Sequence, residues 1–253
     1  MSTVDQFCCF VDNIMLSPLS TKQPLKKFSL FLTVETESSL FNFNAWVEAA
    51  TRRGVEELRI YLSRRTFKPT IFISQTLVVV KLHSLRIGTD TSSVHLPSLK
   101  TLHLSCVNFT NQNDFINFLS ACPNVDDFKV VGPIFHMLVK ASSGPIFAKL
   151  VKASIGPIYA KFIKLIEATT AAMFNGIRNV QFLRVGIVTE ASFKVIPVFS
   201  NLIHIEIVFY SHRPSHWDDV VDVLQHCPKL KILFIKVCCI VPFIFGYIGA
   251  NGV

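Results

Sequence analysis

Residues 96–130, "LPSLKTLHLSCVNFTNQNDFINFLSACPNVDDFKV", contain the pattern that decides the fold. Each end follows the spacing apolar-x-x-apolar-x-apolar, first at Leu99, Leu102 and Leu104 and then at Val125, Phe128 and Val130. Between the two ends, Phe115, Phe118 and Leu119 fall on one face of a helix. The order is therefore strand, helix, strand, and the two strands begin 26 residues apart.

The same spacing recurs along most of the chain, and we call the three apolar residues of each occurrence its anchors. The remaining anchors are Leu25, Phe28 and Leu30; Val55, Leu58 and Ile60; Leu77, Val80 and Leu82; Val180, Leu183 and Val185; Leu202, Ile205 and Ile207; and Leu230, Leu233 and Ile235. All steps between first anchors but one lie between 22 and 30 residues. Periods of this length are typical of leucine-rich repeats.

Proline precedes the first anchor by two residues in three repeats, at Pro97, Pro123 and Pro228. Proline ends a helix and is tolerated at the entrance of a strand. Segments 40–54 and 215–228 also predict helices. The first ends at Gly54, a C-terminal helix signal. The apolar stripe predicted for the second consists of Trp217, Val220, Val221 and Leu224.

These patterns predict an α/β fold. We expect a curved right-handed leucine-rich-repeat solenoid, similar to ribonuclease inhibitor, with one parallel strand per repeat. The anchors should be buried, and the helical segments should lie on the convex side. Antiparallel pairing between the strands at Leu58 and Val80 would contradict this prediction.

A phrase of twelve residues occurs three times, as "VGPIFHMLVKAS", "SGPIFAKLVKAS" and "IGPIYAKFIKLI". It falls in the one long step, the 55 residues from Val125 to Val180. Leu150, Ala153 and Ile155 match the anchor spacing and divide this step into 25 and 30 residues. We therefore interpret residues 132–167 as a duplicated insertion in one repeat, with its Gly-Pro turns at the surface. A ligand-binding glycine loop is the alternative, but the proline in each copy removes an N–H that a phosphate would need.

Composition indicates a folded chain without export signals. Half of the 253 residues are hydrophobic and 17% are charged, which excludes disorder. Lys and Arg exceed Asp and Glu by 25 to 17, and this net charge of +8 favours acidic partners. The first residues have no secretory pattern. The seven cysteines are an odd number without C-x-x-C spacing, so we expect reduced thiols in a cytoplasmic or nuclear protein.

The sequence predicts neither an enzyme nor a cofactor. It lacks the H-E-x-x-H, G-x-S-x-G and P-loop patterns of common catalytic sites. His212 and His216 have i, i+4 spacing, but Pro214 between them breaks the helix that would align both rings on a metal. We expect a polar loop there instead.

The residue between the last two anchors of each strand should point away from the core, because side chains alternate along a strand. Stacked in a solenoid, these residues form one concave partner-binding stripe. Its members are Ser29, Arg59, Lys81, His103, Lys129, Ser154, Arg184, Glu206 and Phe234. An ordinary solvated face is one interpretation. The other is a basic groove for an acidic or phosphorylated protein partner, carried by Arg59, Lys81, His103, Lys129, Arg184 and Glu206.

Residues 96–130 resemble the leucine-rich repeats of plant F-box proteins of the FBD type. "FVDNIMLSPLSTKQPLKKFSLFL" (residues 10–32) and "FNFNAWVEAATRRGVEELRIYL" (residues 41–62) are similar to the stretches that follow the F-box there. "HWDDVVDVLQHCPKLKILFI" (residues 216–235) resembles the last repeats before the FBD. The resemblance covers roughly residues 7 to 237.

The resemblance implies three segments: a remnant of the linker after a missing F-box at 1–24, the solenoid at 25–237, and a divergent apolar tail at 238–253. In this family the F-box binds a Skp-type adaptor of a ubiquitin ligase, and the repeats hold the substrate. Both the F-box and the FBD continuation are missing, so we expect a truncated member or a truncating gene model. Binding of a Skp-type adaptor is therefore not expected.

Nucleic acid and a membrane are two other classes of partner. A basic solenoid that binds nucleic acid is the alternative function, but Phe234 is the only aromatic residue in the stripe, and such proteins interleave rings with cations. A membrane span over residues 232–250 is not favoured, because Lys236 and Pro242 interrupt the apolar run.

Overall fold

The computed structural model describes residues 3–18, 23–32, 42–132, 147–158, 174–187, 196–210 and 217–238. The chain divides into two compact units, Met1–Val125 and Asp126–Val253, which we call the first and second units. Each unit combines helices with a sheet of parallel strands. The apolar tail after residue 238, most of the duplicated insertion, and the His212 and His216 pair lie outside the described residues.

The first unit begins with a helix and continues in repeats. Its helices and strands are α1 (Thr3–Leu16), β1 (Lys27–Leu32), α2 (Phe43–Arg52), β2 (Glu57–Phe67), β3 (Val79–Ile87), β4 (Thr101–Ser105), the short β5 (Asn108–Phe109) and α3 (Gln112–Ser120). Two 3₁₀ helices, Pro69–Phe72 and Thr91–Ser93, connect β2 to β3 and β3 to β4. Strands β1 to β4 pair in chain order, and β5 pairs with the end of β3.

The second unit repeats the same arrangement with fewer described helices. Its elements are β6 (Asp127–Val131), β7 (Lys152–Ile158), β8 (Phe182–Ile187), β9 (His204–Phe209), α4 (Trp217–Gln225) and β10 (Ile232–Val237). Strands β6 to β10 also pair in chain order, and every pairing is parallel.

The predicted α/β class with parallel repeat strands is therefore confirmed in each unit. Leu58 lies opposite Val80 in a parallel ladder, as the repeat spacing requires. In most of the strands, the anchors are almost fully buried. Leu58, Leu102 and Phe128, for example, expose none of their surface.

A recurrent pair of main-chain hydrogen bonds joins each repeat to the next. One carbonyl at the entrance of a strand accepts two successive N–H groups from the following repeat, at 2.8 to 3.1 Å. The acceptors are Lys26, Glu56 and Val78 in the first unit and Asp126, Val151, Gln181 and Ile203 in the second. The shared acceptor fixes the register, so equivalent residues of successive repeats face each other.

A tight turn precedes most strands, and it explains the prolines. The N–H of the first anchor donates to the carbonyl three residues earlier, at 3.1 to 3.4 Å. The turns span Leu96–Leu99, Cys122–Val125, Phe147–Leu150, Ile177–Val180, Phe199–Leu202 and Cys227–Leu230. Pro97, Pro123 and Pro228 occupy the second position of their turns, where the fixed φ of proline is favoured and no N–H is needed.

Residues 1–24, expected to be a linker, contain helix α1, which packs against α2. The fully buried Trp46 of α2 donates a hydrogen bond from Nε1 to Asp12 Oδ1 at 2.6 Å, and its ring meets Phe7 edge to face. Helix α2 ends as predicted, because Gly54 adopts a left-handed φ of 75° just after it. These contacts attach α1 to the first repeat.

Three expectations about packing were wrong. The anchors of β10 are not buried, since Leu233 and Ile235 are 43% and 40% exposed, and Leu25, just before β1, and Phe28, within it, are half-buried. β1 and β10 are the first and last described strands of the chain and each pairs with one other strand, so less of their surface is covered.

The stripe of α4 is also displaced from the prediction. Val220 and Val223 are buried, whereas Val221 is 51% exposed, because residues three apart share a helical face. Finally, Gly156 and Pro157 belong to strand β7 and do not form a surface turn. The anchors predicted for this strand, Leu150, Ala153 and Ile155, are buried.

The first testable prediction concerns the core. Leu102 is fully buried in β4, so Leu102→Ala should lower the free energy of unfolding by about 2–5 kcal/mol through the cavity it leaves. Urea denaturation followed by circular dichroism measures this change. Lys100→Ala, two residues away and exposed, is the control and should change stability by less than about 0.5 kcal/mol. Equal effects of the two substitutions would contradict the assigned register.

Candidate functional site

The first unit aligns four members of the predicted stripe. Register pairs place one residue on each of β1 to β4 directly opposite the next. We call this set the cationic row: Ser29, Arg59, Lys81 and His103. All four lie on the face opposite the buried anchors and remain exposed or half-exposed. Alternation along the strands therefore produces the predicted alignment within this unit.

A carboxylate moderates the positive charge of the cationic row. Arg59 Nε donates to Glu57 Oε1, and Lys27 Nζ lies 3.4 Å from Glu57 Oε2. Partial burial alone would raise the pKa of Glu57, but the hydrogen bond and charge of Arg59, with the charge of Lys27, lower it below its ordinary value. Lys81 has no ion pair among the described residues. Lys81 is thus the cation of the row most available to a partner.

A second row, of aromatic rings, lies beside the cationic row. It is two residues further along the same strands, and we call it the ring row: Phe31, Tyr61 and His83. The rings of Tyr61 and His83 stack with centroids 4.3 Å apart and planes 15° apart. Phe31 stacks on the other side of Tyr61 at 6.3 Å and 19°, and it is 65% exposed.

Sequence reasoning missed the ring row because it considered a single outward position on each strand. The signal was present in the sequence: the next outward position of three successive repeats holds Phe, Tyr and His. Its recognition needs only one further step of the two-residue strand period.

The second unit aligns the other members of the predicted stripe. We call them the second-unit row: Lys129, Ser154, Arg184, Glu206 and Phe234. Here too the charges compensate each other, since Arg184 Nε lies 3.6 Å from Glu206 Oε2. This row is therefore less basic than a count of its Lys and Arg residues predicts.

His204, two residues before Glu206 on β9, adds to this cluster. Its Nε2 lies 3.7 Å from Glu206 Oε1, which is beyond hydrogen-bond distance, and its ring packs edge to face on Phe182 at 4.6 Å. This nitrogen is buried without a hydrogen-bond partner in the described part of the chain. Glu206 thus lies between two basic side chains.

Other classes of site find no support in the described residues. No group of three or more His, Cys, Asp or Glu side chains is placed to hold a metal ion there. Nor does any helix in those ranges combine the length and the apolar character needed to cross a bilayer.

The described cysteines are all free thiols, and most have structural positions. Cys122 and Cys227 open equivalent turns, and each Sγ donates to the carbonyl four residues earlier, Phe118 and Val223, at 3.2 Å. Burial raises the pKa of Cys122 to about 12 and that of Cys227 to about 11. Thiols held in the protonated form are poor nucleophiles, so these two are core residues.

We expect an alkylating reagent to separate these thiols from the exposed Cys9. In the native chain at neutral pH, Cys9 should be labelled quickly, and Cys122 and Cys227 only after unfolding. The unfolded thiols ionise at a lower pH than the buried ones, so the free energy of unfolding should fall as the pH rises above the ordinary range of cysteine. Mass spectrometry of labelled peptides and urea titrations across alkaline pH measure both effects. Rapid native labelling of Cys122 would contradict its assigned burial.

Comparison with known proteins agrees with this geometry. The family model of the Leucine Rich Repeat matches residues 98–123, which contain β4, β5 and α3. The chain is 34% identical over 131 residues to an F-box/LRR-repeat protein of Arabidopsis thaliana. This alignment covers 49% of this chain and 33% of that protein. It is 36% identical over 130 residues to an FBD-associated F-box protein of the same plant, covering 51% of this chain and 30% of the relative.

The predicted resemblance to plant F-box proteins with leucine-rich repeats is thus confirmed over about half of the chain. That extent is shorter than the predicted 7 to 237. The chain spans about a third or less of the length of these curated relatives.

Proposed function

We propose that this chain is a protein-interaction module whose repeat strands hold a protein substrate for a ubiquitin ligase, in the cytoplasm or nucleus. One observation carries the proposal: in each unit, the side chains that the core does not use are aligned across successive parallel strands. The leucine-rich-repeat match and the relatives named as F-box/LRR-repeat proteins support the same class. They favour an interaction module over an enzyme.

Nucleic acid is the second candidate partner, and the ring row favours it more than the sequence did. Proteins that bind single-stranded nucleic acid combine aromatic rings, on which the bases stack, with cations that contact the backbone. However, base stacking requires a free ring face, and Tyr61 has Phe31 on one side and His83 on the other. In addition, Glu57 offsets the charge of Arg59. A protein partner therefore remains the better fit.

Affinity capture tests the proposal. The full chain is immobilised, incubated with a plant protein lysate treated with nuclease, and the bound proteins are quantified by mass spectrometry. We expect a specific set of proteins that Lys81→Glu no longer retains, because the substitution reverses the one cation of the cationic row without an ion pair in the described part of the chain. High salt should weaken the same set.

Lys100→Glu is the matched control, since it makes the same charge change at an exposed residue outside the row. We call the face of β1 to β4 that carries the cationic row and the ring row the first-unit face. If the two variants capture identical protein sets, this face is not the binding surface. The capture is repeated with lysate that has not been treated with nuclease. A protein set retained from the untreated lysate but not from the treated one would support nucleic acid instead.

A separate prediction concerns the adaptor. In the plant F-box proteins that this chain resembles, the F-box makes the contact with a Skp-type adaptor. The Leu-Pro-x-x-Leu pattern of that module occurs nowhere in these 253 residues. We expect that this chain, expressed together with a Skp-type adaptor, does not co-purify with it. One of the full-length relatives is the positive control. Stoichiometric co-purification would show that this chain has an adaptor contact of its own.

A further inference from the structure

We infer that the first-unit face recognises an extended peptide in which acidic and aromatic residues alternate. This inference rests on the proposed function and specifies the chemistry of its partner. Two observations carry it: the cationic row and the ring row run side by side across the same strands, and the first contains Lys81, a cation without an ion pair in the described residues, while the second contains Phe31, a ring that is 65% exposed.

The spacing of the two rows fits the alternation of an extended chain. Lys81 and His83 are two residues apart on β3, as are Arg59 and Tyr61 on β2. Two residues along a strand correspond to roughly 6.6 Å. A peptide that lies between the rows, across the strands, points successive side chains to opposite sides. One side would meet the cations and the other side would meet the rings.

The length of the rows also suits a short linear segment. At about 4.8 Å per step, the four strands of the cationic row span roughly 14 Å and the three strands of the ring row roughly 10 Å, lengths that three or four extended residues cover. Such a segment would make about two contacts with each row. Recognition would thus depend on several modest contacts.

The chemistry of each row selects one type of side chain. In the cationic row, Lys81 attracts carboxylates or phosphates, and so do the guanidinium nitrogens of Arg59 other than the Nε that contacts Glu57. In the ring row, stacking occupies both faces of Tyr61 and leaves its edge for a partner, while Phe31 is stacked on one face and is 65% exposed. Ring edges are electropositive and attract the face of another aromatic ring. An acidic residue followed by an aromatic residue therefore matches both rows.

Synthetic octapeptides test the inference by fluorescence anisotropy with the full chain. The probe alternates Glu and Tyr. There are three comparison peptides: one with the same composition but with its Glu and Tyr residues in two separate blocks, one that alternates Ser and Tyr, and one that alternates Glu and Ser. We expect the alternating Glu-Tyr peptide to bind most tightly. Replacement of Glu by Ser should remove the dependence on salt, and replacement of Tyr by Ser should weaken binding by about two- to tenfold, the range for a lost aromatic contact.

Matched variants locate the contact. Phe31→Ser should abolish the preference for the alternating peptide over the block peptide, whereas Phe10→Ser, on α1 and similarly exposed (62% against 65%), should not. Lys81→Ser should weaken binding, and Lys100→Ser should leave it unchanged. Thermal melts check that each variant is folded, and we expect neither Phe31→Ser nor Phe10→Ser to change the melting temperature.

The outcomes separate this inference from the proposed function. Equal binding of the alternating and block peptides, or equal effects of Phe31→Ser and Phe10→Ser, would overturn the inference. If Lys81→Glu still removes the captured proteins in that case, the proposed function stands without it. Tighter binding of oligo(dT) than of the alternating peptide, lost in Phe31→Ser, would overturn the inference in favour of nucleic acid.

Discussion

The rest of each unit depends on one recurrent pair of main-chain hydrogen bonds, in which a single carbonyl accepts two N–H groups from the following repeat. A shared acceptor leaves no freedom to slip, and a slip by one residue would exchange the buried and exposed faces of a strand. Because the register is fixed in this way, Leu58 meets Val80 in the core and Arg59 meets Lys81 outside it. The core and the candidate binding face are therefore two consequences of the same ladder.

The chemistry of the outer face follows from neighbours along a strand and across the ladder. Glu57 lies two residues from Arg59 on β2, and Glu206 lies opposite Arg184 on the neighbouring strand, so part of the positive charge is balanced within the protein. Exposed ion pairs contribute little to stability, commonly less than about 1 kcal/mol. Their greater effect is on recognition, because a cation that is already paired must give up its carboxylate before it can bind a partner. Lys81 has no such balance in the described residues, which makes it the natural point of attachment.

The repeat pattern predicted most of the fold, and its failures have clear physical causes. Leu233 and Ile235 carry the same spacing as Leu102 and Leu104 yet stay exposed, since burial depends on what lies on both sides of a strand and not on its own residues. Val221 was assigned to the buried stripe of α4, but a short helix has several apolar faces, and only the packing selects Val220 and Val223. The ring row was missed because only one outward position of each strand was considered. Its stacked pairs, Phe31 with Tyr61 and Tyr61 with His83, join residues 30 and 22 positions apart in the chain.

The sequence by itself determined the repeat length, the strand positions, the turns with their prolines and the inward anchors, because all of these are local. Spacing within six residues decides which side chains of a strand share a face. The tertiary structure alone decided that Glu206 balances Arg184 and that the rings of Phe31, Tyr61 and His83 stack, since these contacts join different repeats. It also decided which anchors are covered at the ends of the sheets. Burial and charge balance are properties of neighbours in space, and a linear pattern does not contain them.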